Sequence, residues 1–220
     1  MPNPHAPRPP FVPELFALPD PEEDERPEPL FVPDPDLALW VKKWFFHEDS
    51  PLLIEDHVDV MEASIGFVWT NAENKRQGRL VAGTAQLGKP GRNVQDGWTR
   101  AAIEFQRREW FGELPDLLVT LSAPYCARCE SHQVLALIDH ELSHFEPKLD
   151  KDGEPVVDEE TGRMTYRMVG HDTEEFDAVI RRFGAWEQGL VTMKRALDSK
   201  PTMDMALVER IVGPPLVRDW

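Results

Sequence analysis

A chain of 220 residues with a formal charge of −16 has room for one domain with a core of its own. It is a poor match for bare nucleic acid, whose phosphates call for clustered Lys and Arg. No run of roughly 18 apolar residues exists, so no membrane span is expected. Two cysteines and the lack of an apolar leader in MPNPHAPRPP point to a reducing, cytoplasmic setting.

Residues 1–36 hold twelve prolines, and nine acidic residues against two arginines. So little apolar area cannot offset the entropy of ordering, and composition predicts a disordered or extended tail over 1–36. FVP occurs there twice, at Phe11–Pro13 and Phe31–Pro33; it reads as chance in a Pro-rich segment or as a pair of short docking motifs.

From residue 37 the pattern changes. Leu37, Trp40, Val41, Trp44 and Phe45 share one helical stripe, and Ser50-Pro51 opens a second predicted helix running to about Glu62. IGFVWT (65–70) and RLVAGTAQLG (79–88) read as two strands of a hairpin joined by the polar turn NAENKRQG. TRAAIEFQRREWF is a predicted helix, and LLVTLS (117–122) a short buried strand. SHQVLALIDHELSHF has the strongest helical pattern in the chain, with Ser131 as N-cap and Val134, Leu135, Ile138, Leu142 and Phe145 on its apolar face.

A polar insert follows, read as a β-hairpin turning near Glu159–Gly162. HDTEEFDAVIRRFGAW is then a helix with Phe176, Val179, Ile180 and Phe183 turned inward. Two more helical stretches end before Pro214-Pro215. Helices and strands in this order predict an α+β domain over 37–212, with 213–220 as a second tail. Tryptophans at helical spacing (Trp40, Trp44, Trp110, Trp186) are expected in the core.

The chemistry concentrates in ALIDHELSH (136–144). In a helix His140 and His144 lie one turn apart on the same face, so both imidazoles can reach one ion. Glu141, rotated about 100° from His140, stands beside that ion, where a general base would take a proton from metal-activated water. A catalytic zinc usually has three protein ligands. His171 is the expected third, with Glu174 and Glu175, three and four residues on, as alternatives. Tyr166 and Arg167 are candidate oxyanion or substrate groups, and Asp139 or Asp172 could orient a ligand imidazole. Cys126 and Cys129 read as reduced loop cysteines, with metal recruitment or a disulfide as the alternatives.

ALIDHELSH at 136–144, the variable hairpin, and GHDTEEFDAVIRRFGAW at 170–186 together resemble the phage metallopeptidase family, with VAGTAQLGK and PDLLVTLS in matching places. The likeness covers roughly residues 37–189. It implies a minimal zincin-like α+β fold with a small antiparallel sheet and the His-Glu-x-x-His helix. It further implies one zinc ion on His140, His144 and His171, and Glu141 as catalytic acid/base. A more distant likeness is to SprT-like metalloproteases. The expected activity is zinc-dependent hydrolysis of a host or phage protein or peptide in the host cytoplasm. The rival expectations are a zinc-stabilised binding module that sequesters a host factor, and a DNA-associated protease of the SprT type.

Overall fold

The computed structural model describes residues 12, 13, 16, 28–91, 94, 96–159, 161–174 and 177–212. Chain order from Leu30 begins β1 (Phe31–Pro33), α1 (Pro35–Val41, carried on by a π turn at Lys42–Phe46), a 3-10 turn at Glu55–Val60 and β2 (Ile65–Thr70). Next come β3 (Lys75–Arg76), β4 (Arg79–Leu80), β5 (Gly83–Leu87), α2 (Gly97–Phe111) and β6 (Leu117–Ser122). The second half holds α3 (Ala123–Cys126), α4 (Ser131–Leu142), β7 (Phe145–Pro147), β8 (Tyr166–Met168), α5 (Asp177–Phe183), α6 (Gln188–Asp198) and α7 (Met205–Val212). This is an α+β architecture.

The main sheet has the order β1-β2-β6-β5. β2 and β6 run parallel at its centre, and the two outer strands are antiparallel to their neighbours. Both central strands are apolar on alternate faces and buried along most of their length, as strands covered on two sides must be. That placement corrects the hairpin expected from IGFVWT and RLVAGTAQLG. Both segments do contain strands, but β6 lies between them. The polar turn instead closes its own short hairpin, β3–β4. Gln77 at φ +51° and Gly78 at φ +79° supply the left-handed pair that a tight two-residue turn requires.

Ile65, Phe67 and Trp69 of β2 and Leu117, Val119 and Leu121 of β6 enter one buried cluster with Leu37, Trp40 and Val41 of α1. Val134, Ile138 and Leu142 of α4 join it, as do Val208 and Val212 of α7. The opposite sheet face carries α2, whose Phe111 sits so close to Gly66 that any Cβ there would lie 2.7 Å from the ring.

Several expectations change. Residues 31–36, assigned to the tail by composition, belong to the fold. β1 pairs with β2, and Asp34 caps α1 by accepting from Leu37 N while also accepting from Trp69 Nε1–H at 2.8 Å. The second FVP copy is thus a strand of the chain's own sheet. Of the first copy Val12 and Pro13 are described, Phe11 lies outside the described residues, and Phe16 three residues beyond Pro13 is buried in the core. Residues 213–220 also lie outside.

The helix expected over 51–62 shortens to one 3-10 turn. Ser50 does not cap it: its hydroxyl donates to Trp44 O and accepts from Leu52 N. The helix expected from His171 is not formed over 171–174; α5 is described as Asp177–Phe183, with Gly184 at φ +70° after it. Phe183 and Trp186 are exposed, Val179 and Ile180 half-buried, and Phe176 lies outside the described residues. Trp40 is buried as expected, whereas Trp98 is 89% exposed. Among the described residues no helix is long and apolar enough to cross a membrane.

Candidate metal centre

α4 carries the chemistry because its two faces are cleanly divided. Val134, Leu135, Ile138 and Leu142 are buried along the back, which fixes the helix against the sheet and α7. Its first turn is closed by a capping box in which Glu130 accepts from the Gln133 backbone and Gln133 accepts from the Glu130 backbone. Glu130 therefore takes the cap position expected of Ser131. The helix ends at Leu142, and Ser143 donates from both its backbone N and its hydroxyl to Asp139 O. His144 thus stands in the turn just past the helix, and β7 begins one residue later.

That turn, together with β8, brings three histidines together. His140, His144 and His171 each offer a ring nitrogen, and these atoms lie within 4.8 Å of one another. Ring centroids are 4.8–5.1 Å apart, and His171 Nε2 is 3.3 Å from His140 Nε2. Two of the rings are held from behind. His144 Nδ1–H donates to Val169 O at 2.9 Å, just past β8. His171 Nδ1–H donates to the Glu174 carboxylate at 2.9 Å. An imidazole that donates from Nδ1 keeps the Nε2 lone pair for a metal, the usual support of a ligating histidine.

Burial, helped by the neighbouring His144 and His171, holds the His140 pKa below its usual value. A proton is thereby disfavoured where a lone pair is needed. A donor set of three imidazoles, two of them oriented by carboxylate or carbonyl partners, fits one divalent ion of the zinc type.

Glu141 occupies the flank of α4 that faces β5. It is only 4% exposed, and a Cβ built on Gly83 would lie 2.5 Å from its Oε1. Glycine at the first position of β5 is what lets the carboxyl fit there. Burial raises the Glu141 pKa to about 7, with His171 pulling the other way. A carboxyl in that range can both accept and return a proton near neutral pH.

Other candidates are placed elsewhere. Glu174 backs His171 instead of joining the cluster, and its pKa is lowered by that bond, with a smaller contribution from Arg76. Glu175 lies outside the described residues. Tyr166 is buried, with Asp116, Glu62 and Arg163 as its charged neighbours, and Arg167 pairs across the strands with Glu146. β8 turns Tyr166 into the core cluster and Arg167 toward β7. Asp139 accepts from His57 Nε2–H at 2.8 Å through Oδ1. Cys126 and Cys129 are free, and burial pushes the Cys126 thiol up to about 12, so it is an inert packing residue.

Sequence reasoning missed His57, Gly83 and the Val169 carbonyl. A glycine inside a strand pattern is a signal of close approach and could have drawn attention to Gly83. No comparable signal marks His57, and backbone acceptors leave no trace in residue type.

The family model described as "Putative phage metallopeptidase" matches residues 38–198, and the chain belongs to that family. The match spans α1 to the end of α6 and includes all three histidines and Glu141. No curated protein and no solved structure matches the chain.

Proposed function

We propose that this member of the phage metallopeptidase family is a zinc-dependent peptidase acting on a protein or peptide in the host cytoplasm. His140, His144 and His171 would hold the ion, and Glu141 would serve as general base and then general acid. The observation that carries this reading is the buried Glu141 carboxyl beside three converging imidazoles. The family name implies a metal and a peptidase, and the histidine cluster is a set that can bind one.

Zinc held there supplies Lewis acidity toward the scissile carbonyl and brings the pKa of bound water down to about 7. The rest is done by the chain. Glu141, with its pKa near 7, takes the proton from the attacking water and delivers it to the leaving amine. Val169 O and Glu174 keep the rings of His144 and His171 turned. Gly83 leaves the Glu141 carboxyl close to the β5 backbone without a side chain between them.

The test pairs two variants. Glu141→Gln is expected to retain zinc at wild-type stoichiometry and to lose cleavage by at least about a hundredfold; His144→Ala should lose both. Substrates are sought by comparing the proteomes of cells expressing wild type and Glu141→Gln, looking for fragments present only with the former. Undiminished cleavage by Glu141→Gln would sink the assignment.

A further inference from the structure

We propose that His57 is a positioning residue for the metal centre. Through Asp139 it fixes the roll of α4 and thereby the convergence of His140 and His144 with His171. The proposal rests on the metal-binding reading above and deepens it.

Successive residues of a helix are rotated by about 100°. Setting His140 at zero places the start of the next turn, where His144 follows, about 40° away. Glu141 lies about 100° to one side and Asp139 about 100° to the other. The metal face is therefore bracketed by two flanks, and each is held by a different element. Glu141 is packed against Gly83 of β5, and Asp139 is bonded to His57 at 2.8 Å.

His57 is a firm anchor. It is 2% exposed, its ring meets Phe46 edge-on at 6.1 Å, and its backbone N–H donates to Ile54 O. Ile54 N–H in turn donates to Phe45 O, and Phe45 and Phe46 belong to the main core. Asp139 has a second tie, because its carbonyl receives both Ser143 donors at the helix end. A buried histidine whose bond reaches 82 residues along the chain, to the residue just before a candidate ligand, has a role beyond filling space.

The leverage is large. Side-chain ends sit roughly 5–6 Å from a helix axis, so a roll of about 10° moves them by about 1 Å. Metal–ligand distances tolerate about 0.2 Å. The apolar back of α4 is non-directional and cannot hold roll that tightly, whereas two polar or close-packed flanks can.

The experiment uses the full chain, with Zn2+ affinity measured by competition against a chromophoric chelator and geometry read from the visible absorption of bound Co2+. His57→Leu is expected to lose about 10–100-fold in Zn2+ affinity and to show a weakened, shifted Co2+ band. His57→Gln, whose amide N–H can still donate to Asp139, is expected to stay within about threefold of wild type. If His57→Leu does not fold, Asp139→Leu asks the same question from the partially exposed end of the bond and should show the same loss. A purely structural role would lower the metal-free melting temperature and leave the affinity of the folded protein unchanged. Wild-type affinity in folded His57→Leu or Asp139→Leu overturns the proposal, as does an equal loss in His57→Gln. A wild-type chain that binds neither metal removes the metal reading itself, whereas binding that is indifferent to both leucine variants removes only the tether.

Discussion

α2 and α4 each bury one ionisable side chain, and they treat it in opposite ways. Arg107 of α2 spends its donors on the sheet, with Nη1 on the carbonyls of Leu87 and Gly88 and Nη2 on Gln86 Oε1 at 2.8 Å. Glu141 of α4 is buried as deeply, yet has no hydrogen-bond partner among the described residues. Arg107 is the only buried residue of a 15-residue helix, so it holds α2 in place. Glu141 sits in a helix whose apolar back already docks it, and it steadies the flank of α4 by packing on Gly83, not by hydrogen bonds. A buried charge with a full set of partners is architecture. A buried carboxyl without partners, beside three imidazoles, is available for proton transfer.

Three substitutions sharpen that contrast. The largest effect is expected for Ile138→Ala, which empties a fully buried site on the back of α4. Urea unfolding should report a loss of about 3–4 kcal/mol, and a loss below about 1 kcal/mol would mean that apolar packing is not what holds α4. Arg107→Met comes next. It strands two carbonyls and an amide oxygen and should remove about 2 kcal/mol. Zinc affinity should be unchanged, since α2 packs on the sheet face opposite α4; an equal fall in affinity would show that the two helices are not independent.

The smallest effect is expected for Glu141→Gln in metal-free protein, and it depends on pH. The folded state raises the Glu141 pKa to about 7 from an ordinary 4.5, so folding favours the protonated form. The associated stability is fully present below the ordinary carboxylate range and is lost as pH rises through about 7. Glutamine does not ionise. The variant should match wild type near pH 4 and exceed it above pH 8 by about 1 kcal/mol after allowance for solvent screening. Thermal melts at the two pH values measure this, and equal gaps at both would contradict it.

Much of the frame is legible in the sequence, and the reasons differ by element. LLVTLS and SHQVLALIDHEL read directly as β6 and α4, because apolar spacing and capping are local properties. Strand order was not legible. That β6 separates β2 from β5 depends on pairing across some fifty residues, and periodicity carries no information about partners. β1 was hidden by composition, since a three-residue edge strand needs only backbone pairing and one side chain, Asp34, that serves as both cap and Trp69 acceptor. At the site, spacing placed Glu174 near His171 but could not say whether its carboxylate faces the metal position or the back of the ring. The structure puts it on the back. The His57–Asp139 bond joins two segments that no local rule connects.

The pairing of β7 with β8 also bears on how relatives of this chain can be found. Phe145 stands opposite Met168, so the residues flanking His144 and Val169 are clamped together whatever happens beyond Pro147 and Tyr166. The stretch between them can grow or shrink without shifting His171 relative to α4. Any search pattern built on this centre should therefore be two short blocks, His-Glu-x-x-His-aromatic and a later Gly-His-x-x-Glu, separated by a gap of unspecified length. A fixed spacing would discard chains whose metal centre is intact and whose insert alone has changed.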